Sequence, residues 1–165
     1  MPISMYQASI PVLLRGLKNL AAVLRKGEAH GGDALVEARL APDMFTLAGQ
    51  VQRASDTAKG CAARLSGVAN PSYPDEEKTF ADLQARIAKT IAFLESVTPE
   101  QVDGSENKPI EIKAGPNALT FTGESYLQTF VLPNFFFHST AAYAILRHKG
   151  VALGKLDYLG ADTGS

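Results

Sequence analysis

Pro133-Asn134-Phe135-Phe136-Phe137-His138 sits in the middle of a largely apolar stretch that runs from Gly123 to Gly150. How that stretch is read decides the fold. At roughly 100° per residue, Leu127, Phe130, His138, Ala141, Ile145 and His148 fall within about 40° of Asn134 on a helical wheel. The spacing predicts one long helix with that stripe facing the interior. Asn134 and His138 then lie one turn apart on the buried face, and a buried polar pair must be hydrogen-bonded, bound to something, or costly. Pro133 removes one backbone bond just before the pair, which predicts a bend there. Phe135, Phe136 and Phe137 follow one another round the helix, so at least one must pack against another element, a second subunit or a pocket mouth.

Three further segments carry the same helical period. Tyr6, Ile10, Leu13, Leu17, Leu20 and Leu24 predict a first helix from Ser4 to about Arg25, with Pro11 either bending it or marking its first turn. The glycines around Glu28 to Leu35 predict a break, with His30 as a solvent-facing loop residue. Met44, Leu47, Val51, Ala54, Ala58 and Leu65 predict a second helix from Leu40 to about Leu65, with Pro42 and Asp43 in its first turn. Asp43 and Gln50 share one edge of that helix. Phe80, Leu83, Ile87, Ile91 and Leu94 predict a third helix from Asp75 to Ser96, with Asp75, Glu76 and Glu77 complementing its dipole. Thr98-Pro99-Glu100-Gln101 predicts a short helical piece.

Between helix three and the last helix the period changes to two. Ile110-Glu111-Ile112-Lys113 and Leu119-Thr120-Phe121-Thr122 alternate around Ala114-Gly115-Pro116-Asn117, which predicts a hairpin or an extended pair lying on the helices. Thr122 is placed to cap the final helix. The architecture expected is all-α: one bundle of four helices over residues 1–165, with a short β-hairpin or extended insertion before the last long helix. The long connection from helix three to the last need not give a simple up-and-down topology. Lys155 to Ser165 reads as a surface tail tacked down by Leu156, Tyr158 and Leu159.

Composition narrows the partners. Of 165 residues, sixteen are basic and seventeen acidic, for a formal net charge of -1. No basic block stands out, so no nucleic acid is expected. No apolar run is long enough to span a bilayer, so no membrane is expected. The single cysteine, Cys61, cannot form an internal disulfide. With no signal-like start, the expected setting is cytoplasmic. Cys61 itself reads as a small core residue, and His148 as a last-turn residue facing the helix dipole. His148 stands about 15 Å along the axis from His138, too far to share a metal. No phosphate loop, zinc-finger spacing, His-Glu-x-x-His motif or nucleophile elbow is present.

Leu40-Ala41-Pro42-Asp43-Met44-Phe45 with Gln50-Val51-Gln52, the Pro133–His138 run continuing into Ala142-Tyr143-Ala144-Ile145-Leu146-Arg147-His148, and Gly154-Lys155-Leu156-Asp157-Tyr158-Leu159-Gly160 together resemble a bacterial and fungal domain-of-unknown-function family. That family is similar to the DinB-like, YfiT-like metalloenzyme superfamily. The resemblance implies a DinB-like four-helix bundle with a crossed long connection, and a homodimer. Superfamily members bind a divalent metal through three histidines, one on the second helix and two from a His-x-x-x-His pair on the last. By that resemblance His138 keeps the second member of the pair, Asn134 replaces the first, and Gln50 stands at the second-helix position. The implied metal site, for zinc or nickel, is therefore degenerate.

Three functions compete. The leading one is a small-molecule binder whose cleft holds His138, Asn134 and Gln50. The second is a divalent-metal-dependent transferase or hydrolase in which a metal on His138 acts as a Lewis acid. The third is a dimeric structural or interaction protein without catalysis.

Overall fold

The structure is a computed structural model and describes residues 2–160. Ser4 accepts the Gln7 N–H and Gln7 answers through a capping box, which starts α1 (Met5–Gly31). Pro11 lies inside this helix on its exposed side and does not end it. The break expected near Glu28 comes later. The helix runs to Gly31 and carries His30 in its last turn. Gly32 then takes the left-handed φ of 64° that stops it. A 3-10 turn, Gly32–Glu37, leads onward.

Helix α2 (Leu47–Ser66) begins seven residues after the Leu40 expected from sequence. Thr46 caps it by accepting the Gly49 N–H at 3.1 Å. Pro42 and Asp43 instead belong to a turn closed by the Met44 N–H on the Ala41 carbonyl. Met44 thereby drops out of the helical stripe, while Leu47, Val51, Ala54, Ala58 and Leu65 are all buried on it.

Helix α3 (Phe80–Glu95) also starts late. Thr79 and Asp82 form its capping box. Asp75, Glu76 and Glu77 precede it and do not serve its dipole. A short α4 (Pro99–Val102) follows, as the Thr-Pro pair predicts. The hairpin is present as β1 (Pro109–Ala114) and β2 (Asn117–Thr122), antiparallel, with Ile110 opposite Phe121 and Ile112 opposite Leu119. Ile110 is buried, and Ile112 and Phe121 pack on the core, so the helices supply the stability that two strands lack.

The final helix starts as α5 (Gly123–Tyr126), capped by Thr122. Gly123 is required there: a Cβ would lie 1.9 Å from the Ser105 carbonyl oxygen. The chain stays helical through a π turn, Leu127–Val131, and then α6 (Leu132–His148). Sequence placed an irregularity at Pro133, and it takes this form. The proline sits in the first turn of α6, and the Leu132 N–H reaches back five residues to the Leu127 carbonyl. A last short helix, α7 (Lys155–Leu159), lies on α1. It carries part of the expected tail, and residues 161–165 of that tail fall outside the described residues.

The bundle is a ring in which α1 packs on α3 and α6, and α2 packs on α3 and α6. Helices α1 and α2 are therefore diagonal although consecutive, and so are α3 and α6. Only α2 and α3 are neighbours in both chain and space. The connections 32–46 and 96–122 both cross the bundle. Among the described residues no helix is long and apolar enough to cross a membrane.

Candidate functional site

The face that α6 turns inward is rotated from the expected stripe by roughly 70°, about a fifth of a turn. Val131, Phe135, His138, Ala142, Ile145 and Leu146 are buried. Phe135, not Asn134, is the centre of that face. The π turn holds one extra residue and aligns Leu127, Val131 and Phe135 on one side. Asn134 is only half-buried and does not line the cleft beside His138. His148 is exposed in the last turn, consistent with its dipole role.

His138 crosses to α2. Its Nδ1 lies 2.7 Å from Oε1 of Gln50, and the contact is buried. A carbonyl oxygen can only accept, so Nδ1 carries the hydrogen. Burial first, and the nearby Arg53 guanidinium second, hold the imidazole below its ordinary 6.5. The ring is thus neutral near pH 7, protonated at Nδ1, with the lone pair on Nε2. That nitrogen has no protein partner and is not among the sealed, unpartnered polar atoms of the described residues, so it is reached from the cleft.

The cleft has a volume of about 380 Å³. Its walls include Phe45, Phe137, Gln50 and His138, with Arg39 and Asp43 at the rim. Phe137 meets the imidazole edge-on at 5.2 Å and Phe45 does so at 6.2 Å. Arg53 lies over Phe45 at 5.5 Å. Arg39 donates to the Met44 carbonyl at 2.8 Å and so holds the 39–44 turn as a wall. Of the residues singled out from sequence, Gln50 and His138 are brought together, and Asn134 is not. Arg39, Phe45 and Arg53 were not singled out. The signal for Phe45 was the Leu40–Phe45 segment, read as helix when it is turn, with Arg39 directly before it.

The donor set does not fit a resident divalent metal. Among the described residues no group of three His, Cys, Asp or Glu side chains is placed to hold one. The Nδ1 of His138 is committed to Gln50, and amide oxygens are weak ligands for zinc or nickel. Cys61 offers no alternative, since it is fully buried on α2 and its thiol is pushed up to about 12 by burial.

The second cluster of polar groups was missed entirely. Arg86 on α3 has a side chain only 1% exposed. Its guanidinium pairs with Asp56 at 2.7 Å, Asp75 at 3.0 Å and Glu77 at 3.0 Å. Nε donates to Ser55 Oγ at 3.1 Å. Thr90 gives its hydrogen to the Arg86 carbonyl, so Ser55 donates to Thr90 at 2.7 Å. This closed network ties α2, α3 and the 67–79 connection together. The signal was an arginine on the apolar face of a helix with three acids just upstream.

Comparison with known proteins agrees with this architecture. Residues 5–159 match a family described as a domain of unknown function, DUF1993. A crystal structure of a DinB family member protein from Shewanella denitrificans is 38% identical, with a TM-score of 0.85 over 97% of this chain and 94% of that one. No curated protein matches.

Proposed function

This chain belongs to the DUF1993 family and has the DinB fold, and from that premise we propose that it binds a small planar molecule bearing an N–H or O–H donor in the His138 cleft. One observation carries the reading: the Gln50–His138 bond at 2.7 Å. It commits Nδ1 as donor and leaves Nε2 as an acceptor facing the cleft. Phe45 and Phe137 supply apolar walls for a flat ring, and Arg39 and Asp43 offer one charge of each sign at the rim. The site is degenerate relative to a three-histidine metal centre, and the binding role needs no metal. Metal analysis of protein purified without chelator should give well under one equivalent of zinc, nickel, iron or manganese. Chelator treatment should leave Tm unchanged. A stoichiometric metal lost with a fall in Tm would overturn the degenerate-site reading.

The binding test uses benzimidazole, which carries one ring N–H, and N-methylbenzimidazole, which carries none. Benzimidazole should shift the His138 and Phe137 NMR signals saturably. Methylation should weaken binding about tenfold, the scale of one lost hydrogen bond. His138→Ala should remove the difference between the two probes while changing stability less than affinity. Equal binding of both probes, or a loss of stability with unaltered binding, would count against the site.

The same α6 carries an apolar face beside the cleft, sharing Met44 and Phe137 with it. Leu40, Met44, Phe136, Phe137, Thr140, Ala141 and Ala144 line it, with no charged side chain among them. This favours a homodimer as part of the proposal, with a second copy seated on that face.

A further inference from the structure

The Gln50–His138 contact fixes more than the imidazole. Nδ1–H of His138 points at Oε1 of Gln50 at 2.7 Å, so the oxygen of that amide faces the ring and its nitrogen faces away. Gln50 is 1% exposed and His138 9%, and both line the cleft. Neither the Nε2 of His138 nor the Nε2 of Gln50 has a partner among the described residues. Neither is among the sealed polar atoms, so both keep accessible surface that opens on the cleft.

Polar atoms without partners are uncommon on side chains this buried. These two are also of opposite kind. Nε2 of the neutral His138 only accepts, and the Gln50 amide nitrogen only donates, with two hydrogens to give. The cleft thus offers an acceptor and a donor on two residues already bonded to each other. A ligand that leaves either one idle strands a buried polar group and loses affinity. A lone donor, such as a phenol or an indole N–H, satisfies only the histidine. A carboxylate satisfies only the glutamine, and it sets its own lone pairs against that of His138. A peptide amide has both groups, but its trans geometry points N–H and C=O to opposite sides. A cyclic amide is held cis and presents the two side by side on one edge. It also stays neutral at pH 7, which suits walls that include Met44, Phe45 and Phe137. Size agrees. A cavity of about 150 Å³ holds benzene, so the cleft of about 380 Å³ admits a fused bicycle.

We propose that the His138 cleft selects a neutral cyclic amide, of the lactam or pyrimidinone type, whose ring N–H donates to Nε2 of His138 while the adjacent carbonyl accepts from Nε2 of Gln50. The ligand class rests on the binding role proposed above, narrowed from any N–H or O–H donor to one with a carbonyl beside it. Gln50 then has two tasks: one end of its amide sets the histidine tautomer, and the other end reads the ligand.

The experiment titrates the full chain with four probes. Oxindole has both groups on one edge, indole has only the N–H, N-methyloxindole has only the carbonyl, and acetanilide has both on opposite sides. Oxindole should bind tightest, each of the others being weaker by about three- to tenfold. In NMR of the unaltered protein, the Gln50 side-chain amide protons should move downfield with oxindole and stay in place with indole. Gln50→Met should bring oxindole down to the level of indole. The probe ratios and the Gln50 signal are read on the unaltered protein, so they decide the matter even if that variant fails to fold. Indole or acetanilide equal to oxindole, Gln50 protons that ignore oxindole, or benzimidazole binding with none for oxindole below about 10 mM would overturn the cyclic-amide class and leave the donor reading of the cleft standing. N-methyloxindole equal to oxindole, or no saturable binding of any probe, benzimidazole included, would overturn both.

Discussion

His138 shows how one hydrogen bond fixes the chemistry of a side chain. Its partner, Gln50, lies 88 positions away in sequence. Periodicity alone offered Asn134 as the partner, because a wheel relates only residues on one helix. The resemblance to a three-histidine pattern is what singled out Gln50. The neutral imidazole has a consequence for stability. Because burial lowers the folded pKa of His138 below its ordinary 6.5, the unfolded chain binds this proton more readily. Its contribution is therefore fully present above about pH 6.5 and is lost as pH falls from there toward the folded value. His138→Gln should flatten that part of the stability–pH curve, measured by urea unfolding at several pH values. An unchanged slope would show that the ring is not held neutral by the fold. Gln50→Leu should cost about 1–2 kcal/mol, because it leaves the buried Nδ1–H without a partner. It should also free the proton to move to Nε2, which nitrogen-resolved NMR of the imidazole would report.

At the scale of the element, helix existence was legible and helix starts were not. The stripes of α1, α2 and α3 point inward as their spacing predicts. Both α2 and α3 begin later than expected, and for one reason: a real cap outranked a dipole-favourable acid. Thr46 and Thr79 take the backbone donors, which releases Asp43 to the cleft rim and Asp75 and Glu77 to Arg86. Asp75 and Glu77 are counter-charges to a buried cation. A one-dimensional pattern hides this, because the guanidinium that uses them is nine to eleven positions on. Arg86→Ala should therefore be among the costlier single changes in α3. It strands Glu77, only 11% exposed, and leaves Ser55 without its donor. Removal of one partner of a buried pair costs 3–5 kcal/mol when the other stays dry. Asp56 and Asp75 can rehydrate, so about 3 kcal/mol is expected. Chemical denaturation gives the number, and limited proteolysis should show earlier cutting in the 67–79 connection. A loss below about 1 kcal/mol would mean that the network is a solvated surface cluster.

For the whole molecule, the order of packing round the ring carries the argument. Diagonal placement of α1 against α2, and of α3 against α6, leaves α6 between its two neighbours with two separate grooves. One is the His138 cleft toward α2, and the other is an apolar pocket toward α1. The solvent side of the same helix is apolar, with Phe137 56% and Phe136 36% exposed, and Leu40 of the 32–46 connection, 39% exposed, lies beside them. Ala141 and Ala144 let a neighbouring backbone approach closely. A face of this kind, used isologously, closes a twofold dimer without leaving a second adhesive surface. Sedimentation at micromolar concentration should therefore give twice the chain mass of 17.6 kDa. Ala144→Arg places a long cation on the face at a position that lines neither groove. It should give a folded monomer that still binds benzimidazole at the His138 cleft. A wild-type chain that sediments as a monomer at about 100 μM, or an Ala144→Arg variant that stays dimeric, would remove the second copy from this face while leaving the His138 cleft to be tested on its own.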